Sequence, residues 1–142
     1  MLKKIIVIIS LLILNCNISA NDSVYNNLIK AIAFIESSNN PLSVSKDKKY
    51  VGLLQISKIL VDDCNRIIGK EKYTYDDRYN PTKSIEMFKI YQKHYNPNND
   101  FEHAIRLWNG GPHYTIKSTD SYYKLVWDEY KKNNKKINYS LS

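Results

Sequence analysis

Glycine and proline are scarce in this sequence, at four each among 142 residues. No Gly- or Pro-rich linker interrupts the chain and no internal repeat is visible. The length therefore suits one domain with a real core and is too short for two. Cysteine is scarcer, with only Cys16 and Cys64. The three histidines, His94, His103 and His113, lack metal-ligand spacing, and no His-Glu-x-x-His occurs. No glycine-rich loop could cradle a phosphate, so neither a metal nor any other cofactor is expected. No motif mixing aromatic and basic residues points to nucleic acid. Long apolar runs are also missing, apart from Ile5 to Leu14, which Ser10 interrupts. Hydrophobic residues at 43% and charged residues at 25% describe an ordinary globular protein. Tyrosine is the exception, with 12 copies. Its ring and hydroxyl suit stacking on sugars as well as plain packing.

Residues 1–20 have the layout of a secretory signal peptide. Lys3-Lys4 precede the apolar run, and Ser19-Ala20 supply a cleavage point. The run is short for a membrane span, which weighs against a retained anchor. Lipidation at Cys16 would follow Asn15, a poor match to a lipoprotein signal. A secreted or periplasmic protein beginning near Asn21 is expected. Removing the leader's two lysines leaves 19 basic residues against 14 acidic ones, a net charge of +5. That balance favours anionic partners such as cell-wall polymers or nucleic acid, and is also common in solvated surfaces. The mature chain keeps one cysteine and so has no internal disulfide. Cys64 follows Val61 and precedes Ile67 and Ile68 at helical spacings, which suits a buried, inert thiol.

The remaining pattern is mostly helical. Asp22 or Ser23 can cap a helix running to about Ser37, apolar nearly all round in its second half and so a core helix. Its main stripe is Val24, Leu28, Ile32 and Ile35, with Ile29, Ala31, Ala33 and Phe34 filling most of the rest. Val44 to Gln55, with a turn at Lys46-Asp47-Lys48-Lys49, reads as a small β-hairpin. Ser57 caps a helix that Gly69 ends, and Asn80-Pro81 opens one that Asn96-Pro97 ends. Asp100 caps a helix from Phe101 to Trp108, stopped by Asn109-Gly110-Gly111-Pro112. Ser118 or Thr119 caps the last helix, with Tyr122, Leu125, Val126 and Tyr130 as its stripe. Residues 133–142 read as a polar tail.

Glu36 lies four residues after Ile32 and seven after Ile29, on a face shared with apolar side chains. Burial disfavours a charged carboxyl and would hold it protonated near neutral pH. A general acid for glycosidic cleavage needs that property. Most helix-end glutamates are simply solvated, so position alone does not decide the matter. The surrounding motifs carry more weight. From Glu36 the chain reads Glu-Ser-Ser-Asn-Asn-Pro-Leu-Ser-Val-Ser, followed by Gly52-Leu53-Leu54-Gln55. Ala104 to Gly111 reads Ala-Ile-Arg-Leu-Trp-Asn-Gly-Gly, and Thr119 is followed by Tyr122.

These four blocks, in this order, resemble the soluble lytic transglycosylase family and its lysozyme-like SLT domain. The resemblance covers about Leu28 to Val126. It implies an α+β lysozyme-like fold: a helical domain, residues 21–132, with a small β-hairpin beside the active-site groove. It further implies cleavage of the β-1,4 bond between N-acetylmuramic acid and N-acetylglucosamine in peptidoglycan, leaving 1,6-anhydro ends. Glu36 takes the position of the catalytic acid and base. Ser37, Gln55, Asn109 and Tyr122 take substrate-binding positions. Each has a plainer reading too: Gln55 as a satisfied polar group, Asn109 as a helix stop, Tyr122 as core. The expected partner is the glycan strand, met in transient contact with the wall by a monomer.

The sequence also departs from the family pattern. Leu54 stands for the usual Met, and Trp108 for the usual Tyr, losing a hydroxyl. The Gly-Ala ahead of the Gly-Leu-Met-Gln block is missing and one residue is added, which alters the rim expected of the hairpin. Two rival functions follow. One is a hydrolytic muramidase on the same fold, which would need a second carboxylate; Asp47, Asp76 and Asp77 are the candidates, each better explained as a solvated charge, ion pair or cap. The other is an inactive glycan-binding or assembly protein, against which the intact Glu36-Ser37 pair speaks.

Overall fold

The computed structural model describes residues 24–140. The expected leader, its cleavage point, Cys16 and the expected caps Asp22 and Ser23 lie outside the described residues. Among the described residues, five α-helices and one short 3₁₀ helix follow in chain order: α1 (Asn26–Ser37), α2 (Lys58–Ile68), a 3₁₀ turn (Tyr75–Tyr79), α3 (Pro81–Tyr95), α4 (Phe101–Gly110) and α5 (Ile116–Ser140). Among the described residues no helix is long and apolar enough to cross a membrane.

Local chemistry explains most of the boundaries. The Ser57 hydroxyl accepts from Leu60 N and starts α2, and Gly69, in the left-handed region, ends it. The Asn80 side chain accepts from Lys83 N with Pro81 at the first helical position of α3. The Asp100 carboxylate accepts from His103 N to start α4.

Several boundaries differ from the sequence expectation, the first being that α1 begins at Asn26, after Tyr25 and not directly after Asp22 or Ser23. Helix α4 continues through Asn109 and Gly110, because the break in its ladder falls at Gly111, where φ turns to 73°. Helix α5 begins at Ile116, before Ser118. The Thr115 hydroxyl accepts from Ser118 N at 3.1 Å, and the Ser118 hydroxyl accepts in return from Thr115 N at 3.3 Å. Ser118 is therefore the reciprocal partner of the cap. Thr119 is buried. The stretch read as a polar tail is helical as far as Ser140.

Helix α1 packs along α5, α5 also packs on α4, and α2 lies on α3. Leu28, Ile32, Met87, Phe88, Ile105, Leu107 and Val126 are fully buried at these contacts. Each large aliphatic side chain buried in this way contributes about 1.5–3 kcal/mol relative to exposure. The Tyr25 ring meets the Phe88 ring edge-on at 5.6 Å and joins the start of α1 to α3. Cys64 is a free, buried thiol whose pKa burial pushes up to about 12, so it is inert. Some of the apolar positions expected in these helices face outward: Phe34, off the main stripe of α1, is 45% exposed, and Leu125, on the stripe of α5, is 58% exposed.

The expected β-hairpin is not formed. Segment 43–56 holds two isolated antiparallel bridges, Val44 with Val51 and Val51 with Ile56, and no strand occurs among the described residues. The reason is local. Lys48, Gly52 and Gln55 all adopt positive φ, so no extended run survives between them. Side chains also take backbone donors that a ladder would use. The Asp47 carboxylate accepts from Lys49 N and the Ser45 hydroxyl from Tyr50 N. The result is a series of fastened turns.

Candidate active site

Glu36 is the penultimate residue of α1. Ser38 and Asn39 follow it at φ 53° and 64° and turn the chain back, with Ser38 N donating to Phe34 O and Asn39 N to Ala33 O. The Glu36 carboxyl is thus left at the end of a buried helix, on the wall of a cleft of about 420 Å³. Gln55, Trp108 and Asn109 line the same cleft, together with Ser45, Tyr50, Ser57 and Leu60.

The Tyr122 hydroxyl, from α5, donates to Glu36 Oε1 at 2.6 Å. Burial raises the Glu36 pKa from its ordinary 4.5 to about 7, and the Tyr122 hydrogen bond opposes that rise without cancelling it. The C-terminal end of α1 carries partial negative charge and gives the carboxylate no relief. Near neutral pH the protonated form is therefore populated far more than in an ordinary glutamate. With Oε1 engaged by Tyr122, the proton belongs on Oε2. Burial and the adjoining carboxylate hold the Tyr122 hydroxyl well above its usual pKa, so it stays a donor.

Tyr122 thus lowers the Glu36 pKa while fixing the orientation of the carboxyl. Tyr122→Phe is expected to raise it further, by on the order of one pH unit, the worth of one hydrogen bond to a charged group. A ¹³C titration of the Glu36 carboxyl reads this directly. An unchanged or lowered midpoint contradicts the assignment.

The loop carrying Gln55 is held by contacts that the sequence does not reveal. Gly52 adopts φ 82°, and a Cβ built there would lie 1.9 Å from Arg78 O. Arg78 is buried; its guanidinium donates to Tyr75 O at 2.6 Å and to Ile56 O at 3.3 Å. The Gln55 amide donates to Gly52 O at 2.9 Å and to Ser43 O at 3.3 Å. Both its protons are engaged, so Oε1 is the atom left to accept from a ligand. The Ser37 hydroxyl lies 2.8 Å from Leu53 O and 3.1 Å from Ala33 O. It staples this loop to α1 and does not line the cleft.

Asn109 reaches the cleft from the last turn of α4, exposed at its edge. The next residue has to be glycine: a Cβ on Gly110 would stand 2.6 Å from Tyr114 Cβ and 2.8 Å from Thr119 Cγ2, so its absence lets α4 close on the start of α5. Trp108 packs on Phe88 with ring centroids 4.9 Å apart.

Four of the five sequence-predicted residues are therefore gathered at one site. Glu36, Gln55 and Asn109 line the cleft and Tyr122 holds Glu36, whereas Ser37 acts on the loop behind. Tyr50 and Ser45 were missed as lining residues, and Arg78 as the anchor of the loop. Ser45 ends the Glu36–Ser45 motif block, but no sequence spacing marks Tyr50 or Arg78, which depend on how segment 43–56 turns. Of the acids weighed as a second carboxylate, Asp47 is exposed and bonded to the Ser45 hydroxyl at 2.7 Å. Asp77 accepts from Thr74 N as a cap and pairs with Lys83 at 2.7 Å. Neither Asp47, Asp76 nor Asp77 lines the cleft. No group of three or more His, Cys, Asp or Glu among the described residues is placed to hold a metal ion.

The model of the transglycosylase SLT domain family matches residues 15–131. The chain belongs to this family. No curated protein and no solved structure matches it. Members of the SLT family are lytic transglycosylases acting on peptidoglycan. Among the described residues, this SLT domain has one carboxyl, Glu36, lining the cleft, and Trp108 lines it too.

Proposed function

We propose that this protein is a peptidoglycan lytic transglycosylase that cleaves the β-1,4 bond between N-acetylmuramic acid and N-acetylglucosamine. The observation carrying the proposal is Glu36, hydrogen-bonded by Tyr122, as the one carboxyl among the residues lining the cleft, with burial raising its pKa to about 7. In this scheme Glu36 Oε2 gives its proton to the bridging oxygen and the bond from that oxygen to the muramic C1 breaks. The substrate's acetamido group supports the positive charge at C1. The C6 hydroxyl oxygen then attacks C1 while the Glu36 carboxylate removes its proton, which restores the acid and closes the 1,6-anhydro ring. Gln55 Oε1 and the Asn109 side chain are the polar groups available to orient the sugars, and Trp108 supplies apolar wall.

A hydrolase acting by inversion would instead need a second carboxylate to activate water. Mass spectrometry of fragments released from purified wall separates the two chemistries. Anhydro ends, lighter than reducing ends by one water, are expected. Reducing ends, with activity lost in Asp47→Asn, would make the protein a muramidase; no cleavage at all would favour a binding or assembly role.

The substrate lies outside the cytoplasm, so this function requires export. The Lys3-Lys4, apolar and Ser19-Ala20 sequence supports a leader removed near Ala20. N-terminal sequencing of protein from its host is expected to begin near Asn21. Soluble cytoplasmic protein beginning at Met1 would contradict export.

A further inference from the structure

Tyr50 lies two residues before Gly52, in the stretch where the Gly-Ala of the family pattern is missing. It lines the cleft, yet its side chain is 47% exposed. An exposed aromatic ring on a loose loop would mean little, but this loop is fastened at both ends of its turn. Ser45 N donates to Tyr50 O at 2.9 Å and Tyr50 N donates to the Ser45 hydroxyl oxygen at 3.0 Å. The Ser45 hydroxyl in turn donates to Asp47 at 2.7 Å, and Lys48 N to Ser45 O at 2.9 Å. The next residue, Val51, is buried and bridged on both sides, to Val44 and to Ile56. The ring is therefore presented on a backbone with little freedom left to lose, which reduces the ordering entropy that binding must overcome. The side chain itself packs little, so core stability does not explain its place.

We propose that Tyr50 is a specificity-determining platform on which the apolar face of an N-acetylhexosamine ring stacks at the rim of the cleft. This rests on the glycan-cleaving function above. A hexosamine presents a face of C–H groups, and an aromatic ring offers a flat apolar surface with a negative face towards them. The residue touches substrate in ground and transition state alike. Its loss therefore weakens binding without slowing the bond-breaking step.

The test uses a peptide-free tetrasaccharide of alternating N-acetylglucosamine and N-acetylmuramic acid, with affinity measured by calorimetry on the full chain carrying Glu36→Gln. Adding Tyr50→Ala is expected to weaken binding by about three- to tenfold, and Tyr50→Phe or Tyr50→Trp to restore it. In the active protein Tyr50→Ala should raise KM by a similar factor and leave kcat within about twofold. Equal affinity of the Tyr50→Ala and Tyr50 proteins overturns the proposal, as does a loss confined to kcat. A loss seen only with glycans carrying stem peptides also overturns it, because the ring would then read peptide and not sugar. If the Glu36→Gln protein with Tyr50 intact binds no tetrasaccharide at all, the glycan-cleaving reading falls, and this inference with it.

Discussion

Glu36→Gln is expected to reduce wall cleavage by about 10²–10⁴-fold, the usual contribution of a general acid. The substitution keeps volume and shape, and the Gln carbonyl oxygen can still accept from the Tyr122 hydroxyl that sits 2.6 Å from Oε1. What it removes is the proton. The fold should not suffer and should gain stability in alkaline solution. Glu36 has a folded pKa of about 7 against an ordinary 4.5, so between these values the folded chain holds more protons than the unfolded one. Stability of the native protein therefore falls as pH rises through that window, and it stays lower above it. Gln does not titrate. The stability of Glu36→Gln relative to the native protein should rise from pH 4 to pH 8 by roughly 3 kcal/mol. Turbidity clearing of purified wall measures the first effect and urea unfolding at the two pH values the second. A well-folded variant with full activity would remove Glu36 from the mechanism. A flat stability difference across pH would show the carboxyl to be solvated.

Gly52→Ala is expected to be the most damaging single-methyl change near the cleft, at about 3–5 kcal/mol of stability. Two effects combine. The φ of 82° lies where alanine is strained, and the added Cβ would fall 1.9 Å from the backbone oxygen of Arg78. A flexible side chain could move aside, but a backbone carbonyl cannot move alone. It belongs to the segment whose guanidinium holds Ile56 O and Tyr75 O. Relief therefore requires the Gly52–Gln55 turn or the 3₁₀ segment to shift, and Gln55 leaves its place in the cleft. Thermal unfolding and the KM for wall fragments should both be affected. As a control, Gly69→Ala meets no atom within 4 Å of the new Cβ and carries only the strain of φ 71°, so its effect should be clearly smaller. Equal stability losses in the two variants would show that the close approach to Arg78 is not what demands glycine at position 52.

Much of this protein was legible from local sequence. Ser57, Asn80 and Asp100 each cap the helix expected of them, because a short polar side chain reaches a backbone N–H two or three residues on and needs nothing else. Gly69 ends α2 for an equally local reason. The apolar spacing around Glu36 placed that carboxyl on the packed side of α1, and the order of the four motif blocks pointed to the family whose model matches residues 15–131. The hairpin expectation failed where local rules compete. Val44 to Gln55, with its polar turn at Lys46-Asp47-Lys48-Lys49, reads as a hairpin, but three residues at positive φ and two side chains capturing backbone donors prevent strands.

What only the tertiary structure decided concerns contacts between distant segments. Tyr122 meets Glu36 across 86 residues of sequence, and no periodicity within α1 or α5 specifies that meeting. The raised pKa of Glu36 depends on desolvation by everything packed around it, a property of the assembled cleft and not of the helix that carries it. Ser37, next to Glu36 in the chain, faces the carbonyl of Leu53 instead of the cleft, because the loop arriving there supplies the nearest acceptor. Capping, periodicity and backbone restriction act over three or four residues and can be read along the chain. Desolvation and long-range hydrogen bonds arise only after the helices have packed, and at this cleft they give the carboxyl its chemistry.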